Sequence, residues 1–326
     1  MSIVCAIYAQ TIDKPTSVLK AVRVIESIRR RHERRIEQAL SDAVHTMVHE
    51  DAPPGLVAAV EYAVFPAGAR IRPRLCLAVA AACGDPTPAL ADAAAAAIEL
   101  LHCASLVHDD LPCFDDATMR RGQPTVHRVH GEPLAILAGD AMIVLAFETL
   151  ARAAMSAPER LGRLIEIVAR GAGSPHGIIA GQAWESEPRI PVITYRRAKT
   201  AALFEAAASA GAASAGENGA AYRLFGQRIG EAYQIADDIL DVTGKPEDMG
   251  KAVGRDVTLG RPNAANDLGV HGSQHLVEQL VREALEAVPA CRHPDELEGW
   301  TRDTARKLLL AGRERREAAR REAESA

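Results

Sequence analysis

Aromatic side chains are scarce: Phe, Trp and Tyr together make up 4% of the 326 residues. Alternating runs of β-branched residues are nearly absent too. Both shortages argue against a sandwich or barrel, whose strands are built from such residues. Charge of one sign is missing as well. Lys plus Arg number 38 against 43 Asp plus Glu, a net charge of −5, so no basic excess marks a nucleic-acid binder. The six cysteines (Cys5, Cys76, Cys83, Cys103, Cys113, Cys291) form no CxxC pair and are too few to staple the chain. They read as reduced, mostly buried thiols of a cytoplasmic protein. No basic segment precedes the short apolar run in MSIVCAIYAQTIDK, so a secretory signal is not expected. The most apolar later stretch, Pro88 to Val107, is broken by Asp92 and Glu99 and reads as a core helix, not a membrane span. Dinucleotide (GxGxxG), Walker, HExxH and GxSxG patterns are all lacking.

What remains is rich in helix formers. Apolar residues make up 48% and charged residues 25%, enough for a sizeable core and too apolar for disorder. Thr16 and Ser17 can cap a helix running to about His49, with the Arg-rich IRRRHERR from Ile28 as a solvated face. Thr87-Pro88 predicts a helix to about Asp110, and Gly131-Glu132-Pro133 opens another through Leu150. Ser156 with Glu159 fits a capping box ahead of LGRLIEIVAR. A helical pattern from Ala220 runs through Val242 and stops at Gly244. The Gly-, Pro- and Asp-rich stretch from Gly244 to Gly269 reads as a functional loop. Without repeats or a linker, the chain reads as one all-α domain over 1–326. A peripheral segment 1–17 and a charged tail 313–326 flank it.

Two acidic clusters stand out. HDDLPCFDDATMRRG carries Asp109, Asp110, Asp115 and Asp116 at the end of an apolar helix; QIADDILDVTG carries Asp237, Asp238 and Asp241 near the end of another. Asp237 and Asp241 are four apart and project from one helical face, where like charges repel unless a cation sits between them. Carboxylates embedded in core-like sequence are costly without metal or basic partners. Oxygen ligands without accompanying His or Cys favour Mg²⁺, which bridges carboxylates to substrate phosphates. Cations for a phosphate-bearing substrate are at hand: Arg70, Arg72, Arg120, Arg121, Lys199, Lys251 and Arg261. His102, two helical turns before Asp109, can face the same cavity.

These motifs together resemble the trans-isoprenyl diphosphate synthases, the polyprenyl synthetase family, over roughly Arg34 to Leu310. The resemblance rests on GARIRP at Gly68 to Pro73, the first aspartate motif with RRG, and GQ at Gly181-Gln182. It rests also on KT at Lys199-Thr200, QxxDDxxD from Gln234, and GKxxGRD from Gly250. LVHDDLPCFDD and GQAWESE are most similar to bacterial carotenoid-pathway geranylgeranyl diphosphate synthases. The resemblance implies an isoprenoid synthase helical bundle around a deep central cavity, usually a homodimer. It implies Mg²⁺-dependent head-to-tail condensation of isopentenyl diphosphate with allylic diphosphates, most similar to geranylgeranyl diphosphate formation. Asp109, Asp115 and Asp237 would be the principal ligands of a trinuclear Mg²⁺ cluster, with Asp110 and Asp241 near the metals. Arg120, Lys199, Thr200, Gln234, Lys251 and Arg261 would hold the allylic diphosphate; Gly68, Arg72, His102 and Arg121 would hold isopentenyl diphosphate.

Three positions depart from the family pattern. Ala69 replaces a lysine that usually contacts isopentenyl diphosphate, Arg261 stands for a lysine, and Glu185 follows GQ where Asp is common. Farnesyl-producing relatives commonly carry an aromatic floor one turn before the first motif, where this chain has Ala104 and Ser105. The alternatives are a farnesyl diphosphate synthase, a terpene cyclase or a non-catalytic subunit. A cyclase usually lacks QxxDDxxD, and a subunit has usually lost one of the two motifs; both are intact here.

Overall fold

Prolines punctuate the helices. Pro15, Pro54, Pro88 and Pro133 each sit in a first helical turn, where a missing N–H forfeits no helical bond. The computed structural model describes residues 15–65, 68–243 and 263–308, with side chains from residue 26 onward. In chain order the first helices are α1 (Pro15–His45), α2 (Pro54–Val64), α3 (Ile71–Ala82) and α4 (Pro88–Asp109). A two-stranded antiparallel ribbon follows, β1 (Met119–Arg120) against β2 (Gln123–Pro124). Next come α5 (Val126–His130), α6 (Glu132–Ala153), α7 (Leu161–Ala172), α8 (Ile178–Ala183) and α9 (Val192–Arg196). A π-helical turn, Arg197–Ala201, joins α9 to α10 (Ala202–Ser214). The last are α11 (Arg223–Thr243), α12 (Ala264–Glu286) and α13, over 294–308.

The architecture is all-α. Alanine-rich α4 and α10 run through the centre, with Ala93 to Ala97 and Ala206 to Ala208 buried. α3 and α7 pack on α10, and α6 packs along α4. Small side chains let backbones meet: a Cβ on Gly211 of α10 would lie 2.2 Å from the Cys76 carbonyl oxygen of α3. Large residues fill the gaps that remain. Leu75, Leu100 and Leu150 are fully buried, each contributing about 1.5–3 kcal/mol of transfer free energy. A second apolar cluster (Ala232, Ile235, Ile239, Val277, Val281) fastens α11 to α12.

Several expectations are amended. α1 ends at His45, not His49, and Pro15 to Ser17 already belong to it. Its arginine run is not wholly a solvated face. Arg35 pairs with Asp85 at 2.8 Å and Asp92 at 2.6 Å, and His32 is buried. Burial, reinforced by Arg31, Arg35 and Arg74, pushes the His32 pKa down to about 3. The Ser156 capping box does not form, because two 3₁₀ turns precede α7 and Ser156 Oγ donates to the Ala153 carbonyl at 3.1 Å. A 3₁₀ turn, Gly219–Tyr222, also precedes α11. Residues 264–268 are helical, not loop; 244–262, the first fourteen residues and the tail 313–326 lie outside the described residues.

Among the described residues, two helices are long and apolar enough to cross a membrane, Pro88–Asp109 and the segment Glu132–Ser156. α4 is mostly buried in the core, which accounts for its composition. α6 buries only one face, and Ile136, Leu137 and Val144 are exposed along it.

Candidate active site

A cavity of about 770 Å³ opens between the ends of α4 and α11. Asp109 and Asp115 line it from one side, and Asp237 and Asp241 from the other. Consecutive helical residues diverge by about 100°, so a pair such as Asp109-Asp110 cannot point both acids the same way. Asp115 joins Asp109 through a turn: its N–H donates to the Asp109 carbonyl at 2.9 Å, folding the Pro112 loop back on the helix end. Asp241 joins Asp237 by helical spacing alone.

Asp110 points away from the cavity. It is buried and accepts from Arg120 Nε at 3.1 Å and 3.2 Å, one bond to each oxygen. Asp110, expected near the metals, is here engaged in an ion pair that aims Arg120 at the cavity, where Arg120 lines the wall. Arg121 and Gly122 both have positive φ, 54° and 77°, and form the two-residue turn of the ribbon. That is the hairpin geometry glycine favours, and it accounts for RRG. Arg121 also lines the cavity, with its guanidinium laid against Gly68: a Cβ on Gly68 would lie 2.7 Å from Arg121 Cζ. Gly68 thus serves as a seat for Arg121.

Arg70, grouped with the phosphate-facing cations by sequence, is instead a structural ion. It pairs with Glu37 and Glu99, both at 2.9 Å, and donates to the Val64 carbonyl at 2.9 Å. Burial opposes its charge, and the two glutamates outweigh that and raise its pKa. Arg72 does reach the cavity, lying over the Phe204 ring at 4.6 Å. Its Nη1 stands 3.2 Å from His102 Nε2. Arginine only donates, so Nε2 accepts and His102 is neutral. Burial, then Arg72 and the other nearby arginines, hold the His102 pKa well below its ordinary value.

Lys199 and Thr200 sit on the π-helical turn, a distortion common at functional sites. Lys199 pairs with Glu185, which also accepts from Tyr195 at 2.7 Å and Gln182 at 3.3 Å. Gly181 permits this arrangement, since a Cβ there would lie 2.4 Å from the Lys199 backbone. Thr200 hydrogen-bonds Gln234, whose Nε2 donates to Asp238 at 2.7 Å. Asp238 faces away from the cavity and accepts the Ala264 N–H at 2.8 Å, starting α12. Glu185 is the site residue that sequence reasoning noted only as a departure; its spacing before Lys199 gives no periodic signal. Lys251 and Arg261 lie outside the described residues.

Burial raises the Asp109 pKa to about 6, with Asp115 and Glu185 adding to the rise while Lys199 and Arg120 oppose it. Such under-compensated negative charge fits a divalent cation with hard oxygen ligands. Among the described residues, the only three ligating groups gathered within 4.8 Å are the exposed His49, Glu50 and Asp51. The cavity aspartates line opposite sides of one cavity. Deeper in, Ala104 and Ser105 of α4, Ile143 of α6 and Ile178 of α8 line the wall.

A model of the polyprenyl synthetase family matches residues 53–292. A geranylgeranyl diphosphate synthase of Cereibacter sphaeroides is 50% identical over 86% of this chain and 97% of its own. One of Rhodobacter capsulatus is 45% identical over 85% and 96%. The crystal structure of a Helicobacter pylori geranyltransferase complexed with magnesium and isoprenyl diphosphate superposes with a TM-score of 0.70. It is 30% identical and covers 86% of this chain and 95% of that one. With two aspartate motifs set across one cavity in an all-α bundle, and with relatives this similar, the chain belongs to the polyprenyl synthetase family.

Proposed function

We infer that this prenyltransferase condenses isopentenyl diphosphate with allylic diphosphates and releases mainly the twenty-carbon geranylgeranyl diphosphate. The observation that carries the reading is the cavity itself. Four carboxylates and several cations ring its mouth, while small or aliphatic side chains line its inner wall. The two relatives described above, both named for that product, support it.

Asp109, Asp115, Asp237 and Asp241 would hold Mg²⁺, three ions once diphosphate is present. When bound, Mg²⁺ supplies positive charge that stabilises the departing diphosphate. The chain's own groups do the remainder. Arg120, aimed by Asp110, and Lys199, aimed by Glu185, bind the allylic diphosphate with Thr200 and Gln234; Lys251 and Arg261 are assigned there by their motif. Arg72, Arg121 and neutral His102 bind isopentenyl diphosphate, with Gly68 seating Arg121. The allylic C–O bond breaks, the double bond of isopentenyl diphosphate forms the new C–C bond, and a proton leaves to the departing diphosphate. Apolar walls exclude the water that would trap the cation. The chain lengthens past Ala104 and Ser105, where no aromatic ring stops it.

The exposed apolar stripe of α6 (Ile136, Leu137, Val144) supports a homodimer that covers it. We place the enzyme in the cytoplasm, supplying a carotenoid-type pathway.

The test is product analysis after incubation with labelled isopentenyl diphosphate, Mg²⁺ and dimethylallyl, geranyl or farnesyl diphosphate. A linear twenty-carbon diphosphate is expected from all three primers. A main product of fifteen carbons, a cyclic hydrocarbon, or no turnover would overturn the reading.

A further inference from the structure

The residue before Asp109, His108, also lines the cavity, and its ring is held by a neighbouring helix. α4 and α6 cross at its last turn, and position 139 of α6 carries no side chain. The His108 imidazole fills that place: a Cβ built on Gly139 would lie 2.0 Å from Nε2 and 2.6 Å from both Cδ2 and Cε1. Nothing larger than hydrogen fits beneath the ring. The same Nε2 stands 3.2 Å from the Ile136 carbonyl oxygen. A carbonyl only accepts, so Nε2 carries a hydrogen and donates. Asp140 Oδ1 lies 3.9 Å from Nε2. One turn of α6 (Ile136, Gly139, Asp140) therefore grips one side chain of α4.

That grip sits where aim matters most. Asp109 follows His108 directly, and the turn that brings in Asp115 hangs from the Asp109 carbonyl. A carboxylate about 5 Å from the helix axis swings by about 2 Å when the helix end rolls by about 20°. Misplacement of about 1 Å at a reacting centre can cost on the order of 10²-fold in rate. We propose that His108 is a positioning residue: seated on Gly139 and donating to the Ile136 carbonyl, it fixes the roll of the last turn of α4 and so aims Asp109 and Asp115 at the cavity. The inference rests on the reading that these two aspartates hold Mg²⁺.

A side chain that merely packs affects thermal stability. A positioning residue also affects how the folded enzyme responds to Mg²⁺. The experiment is a Mg²⁺ titration of steady-state turnover, normalised to folded protein by circular dichroism. It uses wild type, His108→Ala, His108→Gln, Gly139→Ala and the double variant His108→Ala/Gly139→Ala. His108→Ala and Gly139→Ala should each lower kcat by roughly tenfold or more and raise half-saturating Mg²⁺ severalfold. His108→Gln, which keeps a donor at the same reach, should recover most of both. In the double variant the added methyl should cost little beyond His108→Ala, because the ring it displaces is already gone. Additive losses, or a lowered melting temperature with unchanged kcat and Mg²⁺ half-saturation, would overturn the inference. If His108→Ala does not fold, Gly139→Ala decides alone: an unshifted titration rejects the proposal. Wild-type turnover independent of Mg²⁺ would instead overturn the metal reading, and this inference with it.

Discussion

The two aspartate motifs solve one problem by different means. In each, the first acid of the consecutive pair faces the cavity and the second is buried facing away. Asp110 is held by a side chain, the guanidinium of Arg120, which reaches both its oxygens, whereas Asp238 accepts a backbone N–H, that of Ala264, and the Gln234 side chain, with Arg196 farther off at 3.7 Å. The third acid also arrives differently, Asp115 by a folded-back turn and Asp241 by helical spacing. The doubled aspartate is thus a division of labour. One acid is left facing the cavity, and its neighbour ties a second element into place. In the first motif that element is Arg120, an arginine of the cavity wall; in the second it is the start of a helix.

The largest test of this comparison removes the acids that face the cavity. Asp109→Ala and Asp237→Ala should each lower turnover by about 10²-fold or more, with helix content nearly unchanged. Near-normal turnover of either variant with Mg²⁺ would end the assignment of that residue to the metals.

The comparison extends inward from the motifs. One turn before Asp109, α4 presents Ala104 and Ser105 to the cavity; one turn before Asp237, α11 presents Tyr233 and Gln234. The growing chain should therefore run along α4, where there is room. Ala104→Phe puts a ring into a buried, closely packed place at a cost of about 1–3 kcal/mol in stability. The main product should shift from twenty carbons to fifteen while the first condensation survives. A folded, active variant that still makes mainly the longer product would place the floor elsewhere, with Ile143 or Ile178 the next positions to test.

How much of this was legible beforehand follows from what each feature depends on. Pro88, Pro133 and the apolar runs behind them are local signals, and α4 and α6 start where they point. The carboxylates and cations at the mouth were readable as residue types. Which acid of each pair faces the cavity was not, because that depends on where Arg120 and Ala264 lie in the fold. Arg70 and Arg72 are two apart and both read as phosphate ligands; only the positions of Glu37 and Glu99 make Arg70 a structural ion. Glu185 went unassigned because the partner that places it in the site, Lys199, lies fourteen residues on. The capping box at Ser156 failed because a competing 3₁₀ turn took up its hydroxyl.

A smaller effect separates the two buried acids that face away from the cavity. Asp238→Ala leaves the buried Ala264 N–H without its acceptor and should cost about 1–3 kcal/mol, read as a lower melting temperature, while kcat of the folded enzyme stays within about tenfold. Asp110→Ala should do the reverse. Arg120 remains partly exposed and stays soluble without its partner, but it loses its aim, so turnover falls more than stability. If Asp110→Ala lowers the melting temperature as much as Asp238→Ala and spares turnover, the two pairs are alike and the contrast fails.

The smallest effect concerns Ala69, where relatives of this family usually carry a lysine. Ala69 lines the cavity between the buried Arg70 and the cavity-lining Arg72. A lysine there would add a cation for isopentenyl diphosphate, and one modest charge-assisted contact lowers KM by up to roughly tenfold. Two features pull the expectation down. The Arg121 guanidinium already lies on Gly68, the adjacent residue, so a positive charge stands close to where the lysine would reach. Arg72 and Arg121 also share that side of the cavity, and a third cation beside them adds repulsion and desolvation before any substrate arrives. Ala69→Lys should therefore lower KM for isopentenyl diphosphate by about two- to fivefold, with kcat and KM for the allylic substrate little changed. A full tenfold gain would mean that Arg121 does not serve that diphosphate. An unchanged or raised KM in Ala69→Lys, restored to a gain when Arg121→Ala is added, would show that Arg121 has taken over the lysine's place.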